Sequence, residues 1–106
     1  MAIARRERDD ERLYLILKAL GNPVRLEIVR FVQQHPRCIG NEILLQMPDD
    51  LARAQSTLSQ HLKILRDSGL VEAECDGAAT CYILSQECFG WLREQLADMS
   101  YLDLRA

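Results

Sequence analysis

The chain is predicted to be mainly α-helical with one small β-hairpin near its C-terminal end, in the order α-α-α-α-β-β-α. Three observations carry this. Four segments before residue 70 place apolar residues at helical spacing. The clearest period-two alternations flank Asp76-Gly77, a turn dipeptide. And residues 54–70, A-Q-S-T-L-S-Q-H-L-K-I-L-R-D-S-G-L, combine an apolar helical stripe with an uncharged polar face.

Taken in order, residues 8–20 read as a helix with Leu13, Leu17 and Leu20 on one stripe and Ile16 beside it, stopped by Gly21. Asn22-Pro23 starts the next helix, because Asn is a favoured N-cap and Pro suits the first helical position. It runs to about Gln34, with Val24, Ile28, Phe31 and Val32 facing a core, and His35-Pro36 ends it. A short helix fits residues 39–46, with Ile39, Ile43 and Leu44 as apolar contacts, broken by Met47-Pro48-Asp49-Asp50. The polar-faced helix follows from about Ala54 to Ser68, and Gly69 is placed to end it in a left-handed turn. Leu70–Glu74 and Thr80–Leu84 alternate as the two strands of a hairpin. Ser85 caps a last helix over 86–99 or longer, with Cys88, Trp91 or Leu92, Gln95, Leu96 and Met99 on its inner stripe.

At 106 residues the chain is read as one domain, 1–106, with residues 1–8 a flexible basic lead-in. Its 48% hydrophobic and 27% charged residues are those of an ordinary globular protein. No apolar run approaches the ~20 residues that span a membrane, and the N-terminus lacks the apolar middle of a secretion signal. The expected compartment is the cytoplasm. A net charge of −3 argues against a non-specific nucleic-acid coat, yet leaves room for a local cationic face. Cations do cluster: Arg5, Arg6, Arg8 and Arg12 at the start, then Arg53, Lys63 and Arg66 around the polar helix.

That helix carries the chemistry. Leu58, Leu62 and Leu65 form its apolar stripe, while Gln55, Ser56, Ser59, Gln60 and Lys63 occupy the other face, with no carboxylate before Asp67. A merely solvated helix is usually rich in Glu and Lys. Short hydrogen-bonding side chains instead suit base edges and phosphates in a DNA groove, since Gln pairs bidentately with adenine and Ser or Thr serves either base. The plain alternative is a polar surface helix without a partner. A short helix, a turn, a polar-faced helix and a hairpin together make the layout of a winged helix-turn-helix.

At this point the chain resembles the ArsR/SmtB family of bacterial metal- and stress-sensing repressors. L-K-A-L-G-N-P-V-R-L-E-I-V at 17–29 is similar to the family's second-helix signature. Q-S-T-L-S-Q-H-L-K-I-L-R-D-S-G-L-V at 55–71 resembles its recognition helix and the entry to its wing, and C-Y-I-L at 81–84 the wing's return strand. The resemblance implies a homodimer that binds double-stranded operator DNA of dyad symmetry and represses until an effector releases it. Gln55, Ser56, Ser59 and Gln60 are then candidate base contacts, and Lys63 a phosphate contact. Thr57 either bonds a phosphate or is partly buried. His61 is either a DNA contact or a hydrogen-bonded helix histidine packed near the turn. The resemblance also makes the first and last helices the dimer surface, for which Leu13, Leu17, Leu20, Trp91, Leu92, Leu96 and Met99 are the candidates.

Three features depart from the family pattern. The wing carries Glu72, Glu74 and Asp76 and no cation, so its DNA contacts fall to Gly77 main chain and Thr80 or are few. The turn M-P-D-D-L-A-R-A before the recognition helix is long. And Ala54, at the start of that helix, supplies no side-chain cap. The sensor is equally open. The last helix has no histidine, and its Glu87, Glu94 and Asp98 read as solvated charges. Cys38 stands where arsenic sensors of the family show C-x-C, but Gly40 replaces the second cysteine. A thiophilic metal or metalloid ion needs two or three thiolates, so Cys38 needs Cys75, Cys81 or Cys88. Cys75 and Cys81 flank the hairpin turn and are candidates for an approaching pair that binds a metalloid or oxidises reversibly. Packing alone, a non-metal effector and control by expression level are the alternatives.

The rival class is a winged-helix module that binds protein partners without binding an operator, which the acidic wing favours and the Ser/Gln/Lys face opposes. An enzyme is not expected: no phosphate-cradling glycine loop, His–carboxylate cluster or motif-borne nucleophile is present.

Overall fold

A computed structural model describes residues 2–47 and 55–100, with backbone only at residues 2–5, 55 and 76. Its elements are α1 (Ala2–Leu20), α2 (Pro23–Gln34), β1 (Cys38–Ile39), α3 (Gly40–Leu45), α4 (Gln55–Asp67), β2 (Val71–Asp76), β3 (Ala79–Leu84) and α5 (Gln86–Ser100). The molecule is mainly helical, with a three-stranded antiparallel sheet in the order β1-β3-β2. The hairpin expected from the sequence is therefore two-thirds of the sheet. β1 pairs through Cys38 with Tyr82 and through Ile39 with Cys81, so Ile39 is a strand residue rather than the first residue of a helix.

Helix α1 begins at Ala2, where a flexible lead-in over 1–8 was expected. Residues 2–8 are Ala, Ile, Arg and Glu with neither Gly nor Pro, a run of mostly good helix formers continuous with the rest of α1. Asn22 caps α2 as its sequence promised: its Oδ1 accepts from the Val24 and Arg25 amides at 2.9 and 3.1 Å. At α3 the Glu42 side chain accepts from the Ile39 amide at 2.9 Å, holding the entry to this one-and-a-half-turn helix. Gly69 (φ 88°) ends α4 in the left-handed region, its amide bonded to the Arg66 carbonyl. Gly77 (φ 66°) is the first of two residues between Asp76 and its partner Ala79, the place where a tight hairpin turn requires positive φ. The Ser85 hydroxyl accepts from the Cys88 amide and starts α5.

One core joins these elements. Leu13, Ile16 and Ala19 enter it from α1, Ile28, Val29 and Val32 from α2, and Ile43 from α3. Leu58, Leu62 and Leu65 enter from α4, Leu70 and Val71 from the start of the wing, and Cys88 and Leu92 from α5. The inner stripe of α1 thus runs through Ile16 and Ala19, and Leu17, expected on it, is exposed. Met47, read as part of the break after α3, is buried. The turn at 48–54, including Arg53 and Ala54, lies outside the described residues.

Candidate nucleic-acid interface

The heptad-like spacing of Leu58, Leu62 and Leu65 seats α4 on the core, and that seating decides what faces outward. Each leucine withdrawn from water contributes on the order of 1.5–3 kcal/mol. With those three inward, Ser56, Ser59, Gln60 and Lys63 are all exposed and Thr57 is half-buried. Gln55 is the first residue of α4, and its side chain lies outside the described residues. The exposed face therefore offers hydroxyls and a carboxamide, with the exposed cations Lys63 and Arg66 toward its C-terminal end. Lys63 donates to Asp67 one turn on, at 2.9 Å, in an open bridge. Such exposed pairs are worth about 0–1 kcal/mol, so the bridge costs little to open.

His61 lies on the flank of this face, half-buried, and its Nδ1 is 3.2 Å from a terminal nitrogen of Arg25. Burial first, and then the Arg25 charge, hold the imidazole below its ordinary pKa of 6.5. Arg25 also reaches back to the end of α1, donating through Nε to the Ala19 carbonyl at 2.7 Å and through its other terminal nitrogen to the Lys18 carbonyl at 3.4 Å. Arg25 is a functional candidate that helical spacing alone does not single out. The signal was there: a cation in the first turn of α2 opposes that helix's dipole, so it needs a partner elsewhere.

The wing beside α4 is as acidic as its sequence. Glu72 and Glu74 are exposed, as are Gly77 and Thr80, and the side chain of Asp76 lies outside the described residues. The sheet nevertheless receives one cation from outside the hairpin: Arg37 bonds Glu74 at 2.8 Å. Arg37 itself has φ 68°, a left-handed conformation for a non-glycine residue, and its amide donates to the Tyr82 carbonyl.

The cysteines are dispersed. Cys38, Cys81 and Cys88 are buried and Cys75 is exposed, all as free thiols. In the β2–β3 register Cys75 stands opposite Thr80 and Cys81 opposite Glu74. Strand alternation therefore sends Cys75 and Cys81 to opposite faces of the sheet, and the approach of these two thiols expected from the sequence does not occur. Burial, reinforced by the Glu42 carboxylate and Cys81, raises the Cys38 pKa to about 11. Burial also raises that of Cys88, against the pull of Arg12. Among the described residues no three His, Cys, Asp or Glu side chains gather as a metal site would need. On α5, Glu87 meets Arg12 at 3.4 Å, and Arg12 lies 4.2 Å above the Trp91 ring, so this cation of the basic N-terminal cluster joins α1 to α5.

The seven residues expected at a dimer surface divide. Leu13 and Leu92 are buried within the single chain, while Leu20 and Trp91 are partly buried against the same core. Leu17, Leu96 and Met99 are exposed, and Tyr14 joins them. No helix among the described residues is long and apolar enough to cross a membrane.

Comparison with known proteins agrees with this geometry. The family profile described as "Bacterial regulatory protein, arsR family" matches residues 22–73, from the cap of α2 into β2. The uncharacterized HTH-type transcriptional regulator YbzH of Bacillus subtilis is 35% identical over 91 residues, covering 76% of this chain and 91% of that protein. The HTH-type transcriptional repressor SmtB of Mycobacterium tuberculosis is 37% identical over 70 residues, 66% of this chain and 48% of SmtB. Among solved structures, the homodimeric winged helix-turn-helix DNA-binding domain of Mb0332 from Mycobacterium bovis superposes with a TM-score of 0.69 at 25% identity, covering 93% of this chain and 89% of that one. A winged helix-turn-helix fold, a matching profile and a relative aligned over most of its length lead to one assignment: the chain belongs to the ArsR family of DNA-binding transcriptional regulators.

Proposed function

We propose that the protein is a homodimeric repressor that sets α4 of each subunit into successive major grooves of a two-fold-symmetric operator. The observation that carries this is the face of α4. With Leu58, Leu62 and Leu65 buried, Ser56, Ser59 and Gln60 stand free to meet base edges and Lys63 to meet a phosphate. Dimer formation is supported by the exposed apolar residues Tyr14 and Leu17 on α1 and Leu96 and Met99 on α5, each pair one helical turn apart. It is also supported by the homodimeric state named for the Mb0332 domain. Repression follows from an operator occupied by a protein dimer, as the name of the SmtB relative suggests. On this reading the protein works in the cytoplasm and catalyses nothing.

Cys75 is the one thiol exposed among the four, and release by a thiol-reactive signal or a thiophilic ion would begin there or require the buried thiols to open. The test is titration of a promoter fragment against the protein at rising salt. A repressor of this kind prefers one palindrome and loses affinity steeply as salt rises. Ser56→Ala and Gln60→Ala should each weaken specific binding by about 1–3 kcal/mol while the melting temperature holds. Flat, sequence-blind binding sinks the proposal in favour of a protein-binding module with an acidic wing.

A further inference from the structure

We infer that Arg25 is a positioning residue for the reading helix: its guanidinium ties the last turn of α1 to His61 of α4, and specific operator reading requires His61 with an unprotonated Nδ1. The inference rests on α4 being the helix that reads the operator. Its ground is geometric. One side chain on α2 donates to the carbonyls of Ala19 and Lys18 and lies 3.2 Å from His61 Nδ1. An arginine nitrogen can only donate, so Nδ1 accepts and the imidazole proton sits on Nε2. Three helices thus meet through one fork: the end of α1, the start of α2 and the middle of α4. Arg25 is half-buried there, and the shallow groove beside it is lined by Leu15, Ile64, Lys18 and Asp67.

His61 lies on the half-buried polar flank of α4, one turn after the half-buried Thr57 and between the exposed Gln60 and the buried Leu62. Protonating its ring removes the acceptor and sets two cations 3.2 Å apart. The other charges in the neighbourhood are Lys18 of α1 and Asp67 of α4 itself, and Asp67 is engaged by Lys63. Asp67 bonds Lys63 and not His61, so the contact that a charged His61 meets first is the Arg25 guanidinium. The tilt of α4 then changes where its exposed residues sit in a groove.

The sign of the pH dependence separates this role from a direct DNA contact. A histidine that touches DNA binds more tightly when it gains a positive charge. A histidine that holds the helix for Arg25 makes specific binding weaker. The experiment takes a palindromic duplex selected from random sequence by the wild-type protein at pH 7.5, with a scrambled duplex beside it. Affinity for both is measured from pH 8 to 5.5 at constant salt. The preference for the palindrome is expected to fall by about two- to tenfold on acidification, the worth of one hydrogen bond. His61→Asn, whose carbonyl oxygen replaces Nδ1 and does not titrate, should keep the preference at both ends of the range. His35→Asn should leave the wild-type fall intact. Arg25→Lys, which keeps the charge but not the fork, should lower the preference at every pH. Imidazole nitrogen shifts of the free protein read the pairing without DNA, and should report the proton on Nε2. A preference that rises on acidification and is flattened by His61→Asn overturns the inference, as does a proton found on Nδ1. If no duplex binds at any pH, the operator proposal fails, and with it the positioning role, while the nitrogen shifts still judge the hydrogen bond.

Discussion

At the scale of single residues, Arg37 combines two opposing effects. Its left-handed backbone costs a non-glycine residue about 1–2 kcal/mol, while its exposed bridge to Glu74 returns about 0–1 kcal/mol. Arg37→Gly removes both and is expected to change stability by less than about 1 kcal/mol. Arg37→Val keeps the conformational cost, worsens it by β-branching and loses the bridge; a loss of about 1–2 kcal/mol is expected. Urea unfolding of the two variants checks the pair, and equal losses in both would remove the left-handed residue from the account. The thiols give a second test. Cys75 is exposed, and Cys38 is buried with a pKa of about 11. Iodoacetamide at pH 8 should therefore label Cys75 first and Cys38 far more slowly, read by mass spectrometry of the intact protein. The same shift bears on stability. Cys38 releases its proton less readily folded than unfolded, so its contribution is full below the unfolded thiol's pKa of 9.0 and fades as pH climbs toward 11. His61 works the other way: its depressed pKa makes the fold lose stability as pH falls below 6.5. At this scale the sequence revealed side chains but not their partners. The Ser, Gln and Lys positions of α4 were legible because helical spacing alone decides what opposes three buried leucines. Arg25 and Arg37 were not, because each acts across a distance that only the fold closes.

Among the elements, α2 shows how local signals suffice. Asn22, Pro23 and the break at His35-Pro36 bound a helix observed at Pro23–Gln34. Asn22→Ala should cost about 1 kcal/mol, visible as a lower urea midpoint with unchanged denaturant slope. The phase of α1 was harder to read. Leu13, Ile16, Leu17 and Leu20 offer two overlapping stripes, and the small Ala19, buried at 2% exposure, decides which faces the core. By size alone Leu17 outranks Ala19, yet the packing leaves Leu17 in solvent. Strand β1 escaped because two residues carry no periodicity, and its existence depends on β3 arriving beside it. Leu65→Ala, at the fully buried end of the α4 stripe, is expected to cost about 2–5 kcal/mol and to disturb the reading face with it.

At the scale of the whole molecule, the exposed apolar residues of α1 and α5 are a property of the pair of helices rather than of either alone. Leu17→Glu or Met99→Glu should leave the monomer fold intact, since both side chains lie outside the core. Each should shift light-scattering mass from dimer toward monomer and weaken binding to a full palindrome more than to a half-site. A monomeric mass for the wild type that still binds the palindrome tightly would refute the dimer. The fold class was legible at this scale because the order of elements and the length of the chain leave few architectures. The division of Leu13 and Leu92 to the core and of Leu17 and Met99 to the surface was not, because both groups share one hydrophobic pattern.

The pairing of β1 with β3 has a kinetic side. The β2–β3 hairpin closes over two residues, whereas Cys38 and Tyr82 meet only after the 43 residues between them have been gathered. Loop-closure entropy makes that contact late in assembly and gives it little of its own to hold on with. In the native protein the amide of Arg37, bonded to the Tyr82 carbonyl, should accordingly exchange with deuterium sooner than the amides inside the hairpin. The short strand would then be the seam along which this fold first comes apart.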